Sequence, residues 1–354
     1  MKKIVIIGLS VFFLSLLSCS DHGTHGDSVH VFDSSGYTQA VAFEQSIIQQ
    51  HQSLVMLLKT GRVSGTVIRY EDALSLLNKN IDKTSSPLAM VLPNALRELS
   101  KASGKIYDPF TNTINEGGVY GGYLFDEHGL EQEQIIDKAS FMGLFYHSAT
   151  LLDITKESIH KYIALFGASP SFSNSDITLN APDILSAAYA ARRDKNDGKG
   201  LYQEFKHAVM EMQGHVLAGS SHMELTMSER KKILRSWEKA IMATVINYAF
   251  SAHTKFTMTN PQLQDNAAGL HAVSENIGFI LGMKGISEKL ISDEMIDELL
   301  ALLQWTNPVV FIKDPFTNAP ALLQLITKIQ NVYGFTNEEV NDFKVNWVIT
   351  QDRK

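Results

Sequence analysis

The stretch EQEQIIDKASFMGLFYHSATLLD, residues 131–153, decides the fold. Ile135, Ile136, Phe141, Met142, Leu144, Phe145, Tyr146, Leu151 and Leu152 are spread all round a helical axis instead of along one stripe. A helix that is apolar on every side belongs in the middle of a core, where other elements cover it. His147, on the same helix, is expected to be a core histidine with its ring hydrogen-bonded.

Outward from this helix the pattern stays helical. Val41, Ile47, Ile48, Leu54, Val55 and Leu58 recur at helical spacing, and a second stretch follows at about 66–80. Ser86-Pro87 opens a third, with proline at its first position. Pro93 is expected to kink or split that helix. Residues 103–127 read as a long loop rich in glycine, Asn and Asp. Further helices are predicted at 156–166, 182–193, 201–218, 228–257, 261–283, 288–304, 319–333 and 337–349. The last opens on the capping box Thr336 to Glu339. Strand alternation is nearly absent, so the sequence predicts an all-α fold of about a dozen helices.

The N-terminus follows a different logic. Lys2 and Lys3 precede Ile4–Leu17, an apolar run of 14 residues that is too short to span a bilayer. The only cysteine, Cys19, follows directly, with Leu16 at −3 and Ser18 at −1. This resembles the lipobox of bacterial lipoproteins. It implies cleavage before Cys19, diacylglycerol on its thiol and an acyl chain on its new amine. Residues 1–18 are therefore expected to be a signal peptide and 19–36 a lipidated, flexible tether. Multiple acyl chains hold a protein stably at a membrane, so Cys19 would anchor the chain to the lipid bilayer of the bacterial cell envelope. Ser20 at +2 favours the outer membrane. His22, His25, Asp21 and Asp27 read as a solvated spacer, with weak metal binding as the alternative.

Residues 37–354 would form the helical domain, with size and a polar loop at 168–180 suggesting two subdomains that divide there. The pentapeptide DPFTN occurs at 108–112 and 314–318, a hint of two related halves. Without residues 1–18 the chain holds 29 basic and 38 acidic residues, a balance that argues against nucleic acid as a partner. With no cysteine beyond Cys19, thiolate metal sites and cysteine nucleophiles are excluded, and any metal must be held by His, Asp and Glu.

His271 and Glu275 lie four apart on one face of the predicted helix 261–283. Small residues, among them Ala267, Ala268, Gly278 and Gly282, share that face and suit close approach of another helix. Val273, Ile277 and Ile280 lie behind. Buried, the pair needs partners: each other, another helix, or a metal. Two readings stay open, a hydrogen-bonded pair that fixes helix packing and a ligand or metal site. A further His or carboxylate within about 5 Å of His271 would favour metal.

Other constellations carry less. Glu204, His207, Glu211 and His215 form the flank of an amphipathic helix, read as exposed i,i+4 pairs. Glu157 with His160, and Glu204 with His207, match the Glu-x-x-His spacing of di-iron bundles. Residues 194–200 imitate a calcium-binding loop but are one residue short of the required spacing, and a polar turn is expected. Phosphate loops, dinucleotide fingerprints, nucleophile elbows and zincin motifs are absent from the sequence.

Two segments resemble a family of bacterial lipoproteins related to the imelysin-like envelope proteins. One runs from Leu124-Phe125-Asp126-Glu127-His128-Gly129 to Tyr146, and the other from Leu270 to Ile280, with His271, Ser274 and Glu275 in a His-x-x-Ser-Glu arrangement. The resemblance implies an all-helical fold of two bundle-like halves. It also implies a link to iron acquisition, with a His/Glu motif as candidate metal site. Near 156–167 this chain departs from the family, keeping only Glu157, His160 and Phe166-Gly167.

The expected function is that of a membrane-tethered helical binding protein serving metal, iron or haem acquisition, without catalysis. Its partners would be the bilayer and a metal, haem or envelope protein. The cofactor, if any, would be a divalent metal or iron at His271 and Glu275. The alternatives are a metal-dependent hydrolase or oxidase using those two residues, and a purely structural envelope protein.

Overall fold

The computed structural model describes residues 31–111 and 116–354. Cys19, the signal peptide and residues 19–30 of the expected tether lie outside the described residues. The chain folds as α1 (Tyr37–Ala40), α2 (Ala42–Thr60), α3 (Tyr70–Leu77) and α4 (Ser86–Ala102). The hairpin β1 (Gly118–Tyr120) and β2 (Tyr123–Phe125) precedes α5 (Gln132–Ser140). A π-helical stretch, Phe141–Tyr146, joins α5 to α6 (His147–Thr150). Then come α7 (Lys156–Phe166), α8 (Leu185–Arg193), α9 (Leu201–Ala218), α10 (Met223–Phe256) and α11 (Leu263–Leu281). The chain closes with α12 (Asp293–Leu302), α13 (Val310–Lys313), α14 (Pro315–Asn318), α15 (Pro320–Tyr333), α16 (Asn337–Asp342) and α17 (Trp347–Thr350). The fold is all-α, with eleven helices of eight or more residues among those described.

The 34 residues of α10, about 51 Å at 1.5 Å per residue, form the axis of the body. Against it pack α8, α9, α11 and α15, and α11 in turn lies on α5. Gly278 and Gly282 let α11 approach closely. A Cβ at Gly282 would lie 2.3 Å from the Ala139 carbonyl oxygen, and one at Gly278 2.7 Å from that of Gln134. The small residues read from the sequence therefore do admit another helix, and that helix is α5.

Several local expectations are revised. Pro93 does not split α4, which runs unbroken from Ser86 to Ala102. The expected loop at 103–127 contains the hairpin, in which Gly118 pairs Phe125 and Tyr120 pairs Tyr123. Its turn, Gly121-Gly122, takes φ of 57° and 85°, the positive values that a two-residue hairpin turn requires. The expected last helix ends at Asp342 and resumes only at Trp347.

Phe32–Lys354 forms one compact unit. Ala168 and Phe172, from the loop where two subdomains would divide, belong to the same buried apolar cluster as Ile47 and Val348. The body also begins before residue 37. Phe32 packs edge-on against His160 and Phe172 at centroid distances of 5.6 and 5.8 Å. Asp33 N–H donates to Gln213 Oε1 at 2.8 Å, and Gln213 Nε2 donates to the Asp33 carbonyl at 2.9 Å. No helix among the described residues is long and apolar enough to cross a membrane.

Candidate functional site

All nine residues of α5 are buried, including Glu133, Gln134, Asp137 and Lys138. Charged groups removed from water must be paired, and the neighbouring helices supply the partners. The chain enters α5 through a turn organised by Asp126. Its Oδ1 accepts the His128 and Leu130 amides, both at 2.9 Å, and its Oδ2 accepts Gln132 Nε2 at 2.7 Å. Glu131 N–H then donates to Ser274 Oγ at 2.9 Å, fastening the start of α5 to α11.

His271 stands between two carboxylates. Its Nδ1 donates to Glu131 Oε2 at 2.5 Å, and its Nε2 faces Glu275 Oε2 at 3.5 Å. The other Glu131 oxygen lies 2.8 Å from Arg62 Nη2, which also bonds Glu133. Tyr123, at the end of the hairpin, stacks on the His271 ring with centroids 4.4 Å apart and 21° between planes. The Arg62 guanidinium lies 5.2 Å from the centroid of the same tyrosine. Deeper in, Lys138 Nζ lies 3.5 Å from Glu275 and 2.8 Å from Asp137, whose other oxygen is 3.0 Å from His51 Nε2 on α2. Four buried carboxylates, two fixed cations and two imidazoles thus form one chain of charge from α2 through α5 to α11.

The electrostatics follow from burial and from these neighbours. Burial opposes a charged His271, but the charge of Glu131, its hydrogen bond and Glu275 prevail and raise the imidazole pKa. Burial and then the charge of Glu131 push Glu133 up to about 7, although Arg62 pulls the other way. Asp137 is held well below the usual carboxylate range: burial would raise it, but Lys138 and His51 outweigh that. Lys138 is burdened by burial yet raised well above its ordinary value by Asp137 and Glu275.

The structure brings His271 and Glu275 together and adds the further carboxylate, Glu131, that would favour metal. The donor arrangement does not fit one. Glu131 and Glu275 sit on opposite ring nitrogens, so the three groups do not converge on a point, and Arg62 already neutralises Glu131. No group of three or more His, Cys, Asp or Glu side chains among the described residues could hold a metal ion. With a carboxylate near each nitrogen, the imidazole links the entrance of α5 to α11.

The other candidates do not join this centre. Glu204, His207 and Glu211 line a surface cavity of about 380 Å³ together with four residues of α10. His215 faces His222 instead, with Nδ1 atoms 3.4 Å apart. Glu157 and His160 border a separate cavity of about 410 Å³ near Ser35. Asp194, in the calcium-like loop, accepts the amides of Asn196, Tyr202 and Gln203 at 2.6–3.2 Å, so its carboxylate caps α9. His147 is half-buried and its Nδ1 has no hydrogen-bond partner, contrary to expectation. His22, His25, Asp21 and Asp27 lie outside the described residues.

Sequence reasoning did not single out Arg62, Glu133, Asp137, Lys138, Tyr123 or His51. Part of the signal was present: Glu131, Gln134 and Lys138 fall at i, i+3 and i+7, one face of α5, while Glu133 and Asp137 fall at i and i+4 on the adjoining face. Comparison of the chain with protein-family models, with curated proteins and with solved structures finds no match.

Proposed function

We propose that this chain is a lipid-anchored, non-catalytic binding protein of the bacterial cell envelope, held at the outer membrane through Cys19. The observation that carries the reading is Cys19 itself, the only cysteine, placed directly behind a short apolar run with Leu16 and Ser18 at the lipobox positions. The most charged buried centre of the helical body ties Arg62, Glu131 and His271 together across three elements, an arrangement that holds the helices in register. Iron or haem acquisition, implied by the imelysin-like resemblance, draws no support from the His271 donor set. The metal-dependent hydrolase or oxidase alternative loses ground for the same reason.

The test is fractionation of cells that express Cys19→Ala. The variant should leave the membrane fraction, whereas wild type should stay with it through a high-salt wash. A variant that stays membrane-bound after that wash would overturn the anchor.

A further inference from the structure

An open cleft of about 540 Å³ is bordered by α8, α10 and the segment between α16 and α17. Arg192, Arg193, Lys255 and Lys344 line it, and no carboxylate does. On a chain with a net charge of −7 this is a local reversal of sign. Two of the cations are neutralised from outside the cleft, Arg192 by Asp176 and Lys255 by Asp265, each at 2.6 Å.

The other two make no ion pair among the described residues. Lys344 is exposed, with its Nζ 3.8 Å from the Phe250 ring centroid and donating to Asn341 Oδ1 at 2.8 Å. Arg193 is only 7% exposed. Its Nη1 donates to the Phe343 carbonyl at 2.7 Å, while its Nε is buried without a partner. A guanidinium carries five donors, and burying that charge against a single carbonyl is costly. Burial accordingly pulls its pKa down to about 10. Arg193 also borders a neighbouring cavity lined by Asp197, Glu204, Glu338, Glu339 and Asp342, but it pairs with none of them, and Lys195 engages Glu338 and Asp342 at 3.9 and 2.5 Å.

We propose that this cleft binds a small phosphate-bearing anion, held by Arg193 and Lys344. Two uncompensated cations match a phosphate dianion, and arginine suits phosphate oxygens in particular. Ser251 and Thr254 on the wall add neutral donors, while Asn247 Nδ2 already donates to the Phe343 carbonyl at 2.9 Å, and Tyr248 and Phe250 offer an apolar flank for the rest of an ester. The volume falls in the range that takes a small organic ligand. This assignment rests on the binding-protein reading and gives it a ligand class. The phosphate belongs either to a soluble ester or to a lipid headgroup.

The experiment uses the full lipidated chain in phosphatidylcholine nanodiscs, titrated calorimetrically with inorganic phosphate and with phenyl phosphate at low ionic strength. Saturable binding is expected, tighter for phenyl phosphate. Lys344→Glu, at an exposed position, and Arg193→Gln should each weaken it by about tenfold or more. Lys328→Glu, outside the cleft, should leave it unchanged. Absence of saturable heat, or an equal loss in Lys328→Glu, would overturn the proposal. In phosphatidylglycerol nanodiscs, a loss of phenyl phosphate binding assigns the cleft to a headgroup, and unchanged binding assigns it to a soluble ester. Either result upholds the phosphate site. A chain that is not lipid-anchored would fail to enter nanodiscs, and the same titrations on the full chain in solution would then decide the cleft, so failure of the anchor and failure of the cleft read out separately.

Discussion

The His271 imidazole donates from Nδ1 to Glu131 at 2.5 Å, closer than its approach of 3.5 Å to Glu275 on its own helix. The partner that matters most is therefore on another element, at the entrance to α5. Glu131 is fully buried and His271 half-buried, so truncating the histidine strands a buried carboxylate, at a cost of about 1–3 kcal/mol. His271→Ala and Glu131→Gln should each lose that much, and the double mutant less than the sum. The coupling between His271 and Glu131 should exceed that between His271 and Glu275. Urea denaturation of both cycles checks this, and additive losses in the first cycle would contradict it.

Stability should depend on pH through Glu133. Its folded pKa of about 7 lies above the ordinary 4.5. Between those values the folded state holds a proton that the unfolded chain has lost. The contribution is thus full below about pH 4.5 and disappears as pH rises towards 7. His271 acts in the same direction: its pKa is raised from 6.5, so its contribution is lost as pH rises through the folded value. Glu133→Gln should flatten the fall of wild-type stability between pH 4.5 and 7 by on the order of 2–3 kcal/mol. Denaturation midpoints across that window measure it. A variant whose slope matches wild type would show that Glu133 titrates normally.

The approach of α11 to α5 should tolerate no side chain at its two glycines. A Cβ at Gly282 or Gly278 would meet the backbone of α5 at 2.3 or 2.7 Å, so the helices would have to part. Gly282→Ala and Gly278→Ala should each cost about 1–3 kcal/mol, despite alanine's better helix propensity. Gly214→Ala in α9, where nothing lies within 4 Å of the new carbon, should be neutral or stabilising. Thermal melts of the three variants rank them, and a neutral Gly282→Ala would show that the approach is loose.

Metal ions should not stabilise the His271 centre. Arg62 supplies its positive charge, and the carboxylates do not converge. Zinc, manganese or ferrous iron added to chelator-treated protein should leave the melting temperature within about 1 °C. A bound ion at a hundred times its dissociation constant would instead add about 2.7 kcal/mol. A rise present in wild type and lost in His271→Ala would restore the metal reading.

Much of the fold was legible because helical periodicity and punctuation are local. Thr336 with Glu339, Ser86-Pro87 and the all-round apolar run of 141–146 each declare themselves within a few residues. The hairpin was missed because Gly121-Gly122 sits in a glycine-rich stretch that reads as loop, although Val119, Tyr120, Tyr123 and Phe125 around it are strand formers. The site was half legible. His271, Glu275 and the small residues beside them announced a pair against a second helix, although only Glu275 is buried and His271 is half-buried. Arg62 could not be read, since it follows α2 and reaches Glu131 only through tertiary packing across nearly 70 residues of sequence. Glu133, Asp137 and Lys138 were passed over because charged residues at the start of a core helix usually face water. Here the packing of α2, α4 and α11 buries them all.

Mass spectrometry of the N-terminal peptide from membrane-extracted protein reads out the lipid anchor on Cys19. The expected peptide begins at Cys19, with diacylglycerol on sulfur and a fatty acyl chain on the amine. A peptide that begins elsewhere, or that carries Cys19 as a free thiol, would contradict the anchor.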